Sequence, residues 1–165
     1  MDDAINLADQ SAGTYFAQVN RYAYGSSGDV TYDLALSTAD PSNLLPIETQ
    51  VGNVTSNPTF SGQVGNTNTS DVYGFSLGYF GAVDINLTGL SSDADIRLIA
   101  DSNGNRIVDS GEVLLSSTAG GSSSESIHLD DAGNYFLQVY QFTGDTNYNL
   151  AFNYSSTPNT LALTT

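Results

Sequence analysis

The sequence predicts an all-β protein built as an antiparallel β-sandwich. Apolar and polar residues alternate with the period of two that is typical of half-buried strands. The alternation occurs in five segments, residues 73–77, 83–87, 96–100, 135–139 and 148–152. Turns rich in Gly, Ser, Asn and Asp separate these segments at the spacing expected of a sandwich or barrel. No segment keeps a helical period over a useful length.

Part of this strand pattern occurs twice. Segments 4–7, 13–19 and 31–36 resemble segments 126–129, 133–139 and 147–152 in the same order, and the middle pair (GTYFAQV and GNYFLQV) is the most similar. We therefore predict a complete sandwich at residues 59–154, preceded at residues 1–37 by a partial repeat of its last three strands. Residues 38–58 contain three prolines and no alternation, which predicts a linker, and residues 155–165 form a C-terminal tail.

The partial repeat has a predicted physical consequence. Three strands alone are marginal in water because they expose edges and one apolar face. This face could pack on the complete domain, pair with the same segment of another chain, or extend a sheet edge. We predict self-association that removal of residues 1–40 abolishes. The apolar residues concerned are Ile5, Tyr15, Val19, Tyr32 and Leu34.

Both copies also contain a tyrosine just after a glycine turn. Tyr135 follows the turn that begins at Asp131, and Tyr15 follows a looser version that begins at Gln10. The arrangement resembles the tyrosine corner of Greek-key sandwiches, in which the hydroxyl bonds a nearby backbone group. Its predicted role is structural.

Composition limits the possible partners. The chain has 18 acidic residues, three arginines and no lysine, for a net charge of −15. Nucleic acids and anionic membrane surfaces need basic patches, so this charge argues against both. No apolar run approaches the roughly twenty residues of a membrane span. The acidity suits a divalent cation and a location outside the cell, where calcium is abundant.

The termini and cysteine content add two expectations. Cysteine is absent, which excludes disulfides, thiolate metal sites and cysteine nucleophiles. Met1 is followed directly by Asp2 and Asp3, without a basic and then an apolar segment, so no signal peptide is expected. We expect the sequence to be a fragment of a longer chain.

Residues 101–112 predict a calcium site. Calcium takes six to eight oxygen ligands, and this loop places them at EF-hand spacing. The predicted ligands are Asp101, Asn103, Asn105, the Ile107 carbonyl, Asp109 (directly or through water) and both oxygens of Glu112. The sixth position, which needs glycine for a sharp turn, is Arg106. The alternative is a polar turn, which explains residues 102–105 but not the acids that follow. Strands are expected to enter and leave this loop.

Three other groups are candidates for function. Asp93 and Asp95 share one face of an extended segment and could bind the same ion or a second one, or Asp95 could pair with Arg97. Tyr79 and Phe80 lie in a predicted hairpin connection, where they could form a binding surface or cap the core. The single histidine, His128, is predicted to be a surface residue, and no catalytic site is predicted.

Several segments, taken in order, resemble the bacterial pre-peptidase C-terminal domain, whose fold is similar to that of collagen-binding domains of bacterial collagenases. The resemblance covers residues 59–154, and its second half covers residues 1–37. It implies a jelly-roll-like β-sandwich that is a non-catalytic accessory module of secreted proteins, with calcium as a frequent companion. The segments that carry it are DVYGFSL at 71–77, GLSSDADIRL at 89–98, the 101–112 loop and GNYFLQV at 133–139.

Two functions are consistent with the sequence. The first is a calcium-binding, non-enzymatic module of a secreted or cell-surface bacterial protein that binds a protein or polysaccharide polymer. The second is a structural spacer or folding-assistance domain that calcium rigidifies and that has no ligand. An enzyme domain is a distant third, because the acids lie in polar turns rather than in a sheltered pair.

Overall fold

The computed structural model describes residues 2–20, 29 and 31–156, and this part of the chain contains nine strands and no helix. The strands are β1 Thr49–Asn53, β2 Thr59–Val64, β3 Ser70–Leu77, β4 Gly81–Thr88, β5 Asp93–Ile99, β6 Val113–Ser117, β7 Glu125–Leu129, β8 Gly133–Thr143 and β9 Thr146–Ser156. The all-β sandwich predicted from the sequence is confirmed.

The strands form two packed sheets. One has five strands in the order β1-β3-β8-β5-β6, and the other has four in the order β2-β9-β4-β7. All neighbouring strands are antiparallel except β1 and β3, which are parallel. The alternating apolar side chains of both sheets meet in a single core, because each strand directs every second residue inward.

All five segments predicted from alternation are strands, but the predicted domain boundary differs from the structure. Residues 38–58, predicted to be a linker, contain β1 and other residues of the fold. Leu45 and Val54, both within this range, are only 1% and 2% exposed. The sequence hid β1 because its five residues include a glycine with φ of 81° and a register shift, which interrupt the alternation.

Residues 38–48, which we call the strap, cross the outer face of the five-stranded sheet. Leu45 forms a second small core with Val72 of β3 and Ile99 of β5, and Phe136 packs against it. The Arg97 guanidinium and the Gln138 amide both donate hydrogen bonds to the Ser42 carbonyl, at 2.8 and 3.1 Å. The strap is therefore part of the folded domain.

The three strands predicted in residues 1–37 are absent from the described part of that range. In the sandwich, β7, β8 and β9 pair with strands from β2 to β5, whereas no described residue of the N-terminal copy belongs to a strand. The turn chemistry nevertheless occurs in both copies. Tyr135 donates a hydrogen bond to the Asp131 carbonyl at 3.0 Å, and Tyr15 donates to the Ser11 carbonyl.

The N-terminal residues also contact the sandwich. The Asp2 N–H donates to the Ile47 carbonyl at 3.0 Å, and the Asp2 carboxylate accepts from the Ile47 N–H at 2.9 Å. Further along, the Ala8 N–H donates to the Asn66 carbonyl at 2.9 Å. The apolar side chains of the partial repeat remain outside this contact: Phe16 is 91% exposed and Ile5 is 86% exposed.

Candidate functional site

The predicted calcium loop connects β5 to β6, so strands enter and leave it as expected. Its first residue, Asp101, is held by the loop backbone. One carboxylate oxygen accepts hydrogen bonds from the N–H groups of Gly104 and Asn105 at 2.8 and 3.2 Å, and the other accepts from the Arg106 N–H at 2.9 Å. Asp101 therefore fixes the turn that brings the rest of the loop around it.

The two predicted asparagine ligands lie beside Asp109. The side-chain amides of Asn103 and Asn105 both donate to one Asp109 oxygen, at 2.8 and 2.9 Å. Their side-chain oxygens accept backbone N–H groups two residues ahead, from Asn105 and Ile107 respectively. The structure thus brings the third, fifth and ninth positions of the loop together on one side.

Glu112 closes the loop from the other end. One of its oxygens accepts from the Ser102 N–H and hydroxyl, both at 2.8 Å, and the other accepts from the Asp109 N–H at 3.0 Å. Hydrogen bonds from the Asp109 N–H and from Ser102 lower the pKa of Glu112, because they stabilise the ionised form. The loop therefore holds Glu112 through both of its carboxylate oxygens.

Arg106 occupies the position where an EF-hand loop has glycine, and its backbone adopts the left-handed conformation, with φ of 62°. Its side chain leaves the loop: the guanidinium donates to the Leu45 carbonyl at 3.2 Å and lies 5.5 Å from the centre of the Phe136 ring. Arg106 therefore allows the sharp turn at the sixth position, and its guanidinium points toward the strap.

The fit of the loop to calcium has two sides. Its oxygen donors are the ligands that calcium prefers, and its left-handed sixth residue matches the sharp turn of an EF-hand loop. However, no group of three or more Asp, Glu, His or Cys side chains among residues 2–20, 29 and 31–156 is arranged to hold a metal ion. The acids are instead tied to N–H groups of the loop and to the amides of Asn103 and Asn105. Calcium would have to replace those two amide contacts, since an asparagine must present its oxygen to a cation.

The loop is also attached to the strap. The Leu45 N–H donates to the Arg106 carbonyl at 3.0 Å, and the Val108 N–H donates to the Asn43 carbonyl at 2.7 Å. Leu44 and Ile107 form an isolated antiparallel bridge between these two bonds. The middle of the loop therefore has a rigid support from which its acidic side chains project.

Asp93 and Asp95 lie on the outer face of the five-stranded sheet, away from the loop. Among the described residues, Asp95 makes no ion pair with Arg97, and burial, together with the charges of Asp93 and Glu125, raises its pKa to about 6. Gly121 donates to one Asp93 oxygen at 2.9 Å, and the other Asp93 oxygen is enclosed without a partner among the described residues. These acids do not join the predicted ligands of the 101–112 loop.

The remaining sequence candidates are at the surface. Tyr79 and Phe80, in the connection between β3 and β4, are 88% and 57% exposed, so they do not cap the core. His128 is exposed, as predicted, and its Nδ1 lies 2.7 Å from an Asp84 oxygen. That carboxylate raises the pKa of His128.

Sequence reasoning missed one polar cluster, between β1 and β2. Tyr73 and Tyr148 share a hydrogen bond of 2.7 Å, and Tyr148 also donates to Asp71. Nearby, burial raises the pKa of Glu48 to about 7, and Glu48 accepts the Val72 N–H at 2.8 Å. Glu48, Asp71 and Tyr73 line a cleft of about 320 Å³. Glu48 lies in the predicted linker, so no local pattern in the sequence pointed to this group.

Comparisons with known proteins found a family match and several similar solved structures. Residues 69–141 match the family described as the bacterial pre-peptidase C-terminal domain. The pre-peptidase C-terminal domain of a Bacillus anthracis collagenase is a similar solved structure, with 23% identity and a TM-score of 0.49, covering 68% of this chain and 100% of that one. The g-type lysozyme inhibitor PliG of Aeromonas hydrophila has 17% identity and a TM-score of 0.44, covering 65% and 96%. A search of curated protein sequences found no significant match.

The fold is an all-β sandwich, and the matched family consists of non-catalytic accessory domains of secreted bacterial proteins. The resemblance to the bacterial pre-peptidase C-terminal domain family is thus confirmed over residues 69–141, from β3 into β8. Among the described residues, no helix is long and apolar enough to cross a membrane.

Proposed function

We propose that this chain is a calcium-binding accessory module of a secreted or cell-surface bacterial protein, and that it binds a protein or polysaccharide polymer. The observation that carries the calcium proposal is the backbone of the 101–112 loop. Arg106 takes the left-handed conformation at the sixth position, with Asp101, Asn103, Asn105, Asp109 and Glu112 as side-chain ligands and the Ile107 carbonyl at the seventh.

Charge also supports calcium. The loop contributes three carboxylates against one guanidinium, and Arg106 directs that guanidinium toward Leu45 and Asp2, with an Asp2 oxygen at 3.5 Å. The proposed role of the ion is to fix the loop against the strap, since no helices flank the loop that an ion could move, as in an EF-hand sensor.

Isothermal titration with calcium tests this proposal. The wild-type chain should bind one ion, and Glu112→Gln should lose most of the affinity because it removes the carboxylate that would supply two of the ligand oxygens. Asp130→Asn is the matched control, since it removes one charge from an exposed residue outside the loop. Equal binding by Glu112→Gln and Asp130→Asn would refute the assignment to this loop.

The proposed polymer-binding surface is the connection that carries Tyr79 and Phe80. Both rings are exposed, whereas the aromatic side chains that the strands direct inward, such as Phe75 and Phe152, lie in the core. Exposed aromatic rings stack on sugar rings and on protein partners, because they bury large areas with few rotatable bonds.

A sedimentation assay on insoluble collagen, cellulose and chitin tests the polymer proposal. The wild-type chain should sediment with at least one of them, and Tyr79→Ala with Phe80→Ala should remove that binding. Phe142→Ala is the control, because Phe142 is 67% exposed but lies at the end of β8. Failure to bind every polymer would favour the structural spacer, in which calcium rigidifies the loop and no ligand exists.

A further inference from the structure

The outer face of the four-stranded sheet, which we call the neutral face, consists of small polar side chains. The register places them in rows across β2, β9, β4 and β7. The successive rows are Gln63 and Asn147; Ser61, Asn149 and Thr88; Thr59, Ala151, Asn86 and Ser126; Asn153, Asp84 and His128; and Ser155 with Ala82. Most of them are exposed because the alternate residues of these strands fill the core, whereas Asn86 and Ala151 are half-buried and Ala82 is buried.

The charge of this face differs from that of the whole chain. The chain has a net charge of −15, yet Asp84 is the only acidic side chain among these outward positions. One of its oxygens lies 2.7 Å from the His128 Nδ1, and this carboxylate raises the pKa of the histidine. Asp130 borders the face just beyond β7. The face is thus a nearly neutral surface on a strongly acidic protein.

The shape and chemistry of the face suit a hydroxyl-rich ligand. Ala151 has a short side chain that leaves the middle of the face low, and the polar side chains of Thr59, Asn86 and Asn149 lie around it. The Ser61 hydroxyl donates to the Asn149 side-chain oxygen at 3.0 Å, which orients the Asn149 amide N–H groups for another acceptor. Amides and hydroxyls both donate and accept, as sugar hydroxyls do.

The neutral face continues into the aromatic connection. Tyr79 and Phe80 directly precede β4, whose first residues pair with the end of β9 at Ser155. Exposed rings therefore lie at one end of the hydrogen-bonding rows. Aromatic platforms beside polar side chains match a sugar chain, whose rings have apolar faces and polar edges.

We propose that the neutral face binds a neutral polysaccharide, with Tyr79 and Phe80 stacking on sugar rings at its end. This inference rests on the proposed polymer-binding function and names the class of polymer. A polyanionic chain is repelled by the net charge of −15. A cationic partner gains little here, since the only carboxylate among the rows is paired with His128.

The test compares binding to four polymers. Sedimentation measures binding to cellulose, chitin and collagen, and affinity electrophoresis measures binding to alginate. Ala151→Glu introduces a bulky charge in the middle of the face, and binding to the neutral polysaccharide should fall at least about tenfold, because desolvating an unpaired charge costs more than about 1.4 kcal/mol. Ser116→Glu on exposed strand β6 is the matched control and should bind like the wild type. Asn149→Ala should weaken binding in the same direction and serves if Ala151→Glu does not fold.

Each outcome has a distinct meaning. Equal binding by Ala151→Glu and Ser116→Glu, or loss only with the Tyr79 and Phe80 variants, overturns the neutral face as the site. Binding to collagen or alginate but to neither neutral polysaccharide also overturns the inference, while the proposed polymer binding stands. Binding to none of the four polymers removes both proposals.

Discussion

The two outer faces of the sandwich differ in what lies over them. On the five-stranded sheet, the strap covers Val72 and Ile99 with Leu45, and Ser42 accepts hydrogen bonds from Arg97 and Gln138. The neutral face of the four-stranded sheet has no such cover among the described residues, and its side chains are small and polar. The covered face carries much of the protein's buried charge, and the neutral face carries almost none.

This difference suggests a division of roles. Burying Arg97, Gln138, Asp95 and Glu48 requires hydrogen-bond partners, and the strap, β8 and β3 supply most of them. Of these groups, Arg97 and Gln138 hold the strap through the Ser42 carbonyl, and the strap in turn supports the 101–112 loop. The neutral face has no comparable structural role, so its residues are free to serve binding.

The largest expected difference in stability between the two faces comes from Leu45→Ala. Leu45 is 1% exposed between the strap and the five-stranded sheet, so its truncation should lower the free energy of unfolding by about 2–5 kcal/mol. Asn149→Ala on the neutral face should change it by no more than about 0.5 kcal/mol. Urea unfolding of both variants measures the contrast. Similar small losses in both would show that the strap is not part of the cooperative fold.

A smaller loss is expected from Gln138→Ala. Gln138 is fully buried, accepts the Arg97 Nε–H at 2.7 Å and donates to the Ser42 carbonyl. Leaving these groups unpaired should cost about 1–3 kcal/mol. Urea unfolding again gives the value, and hydrogen exchange of the strap amides should accelerate with it. Unchanged exchange would mean that this hydrogen bond does not hold the strap.

The covered face should also make stability depend on pH. Burial raises the pKa of Glu48 to about 7 and of Asp95 to about 6, so the folded state holds protons that the unfolded state has already released. The free energy of unfolding should therefore fall as pH rises from about 5 to about 8. Glu48→Gln and Asp95→Asn should each flatten this slope. A wild-type slope of the opposite sign would contradict the assignment.

The smallest expected effect on stability comes from removing residues 1–40. The described part of this range contributes no strand and few contacts to the sandwich, but it exposes apolar side chains such as Phe16 and Ile5. We expect light scattering to show self-association of the full chain that the truncated chain has lost. The same oligomeric state in both would show that the partial repeat does not mediate association.

The sequence predicted the parts of the fold that depend on local pattern. β3, β4, β5, β8 and β9 alternate because one side of each is buried, and the Tyr135 corner follows from its turn. It did not predict the strap, since Leu45 is buried only by residues distant in the chain. The sequence also could not show that segments such as 13–19 lack partner strands. Strand pairing depends on which segments lie alongside in space, and the segment's own residues do not determine this.

The candidate site was predictable to a similar extent. The spacing of Asp101, Asp109 and Glu112 indicated the calcium loop. Arg106 argued against it, because an EF-hand loop has glycine at the sixth position. In the structure, Arg106 nevertheless adopts the left-handed backbone conformation, and contacts with the strap support it. The sequence did not indicate how far the loop acids are satisfied by N–H groups of the loop itself.

Thermal unfolding in calcium and in chelator tests the calcium-binding claim most directly. At a hundredfold excess over the dissociation constant, calcium should add about 2.7 kcal/mol, which corresponds to a rise in Tm of about 5–10 °C. Glu112→Gln should lose this rise, whereas Asp130→Asn should keep it. An identical Tm for the wild-type chain in calcium and in chelator would contradict the account.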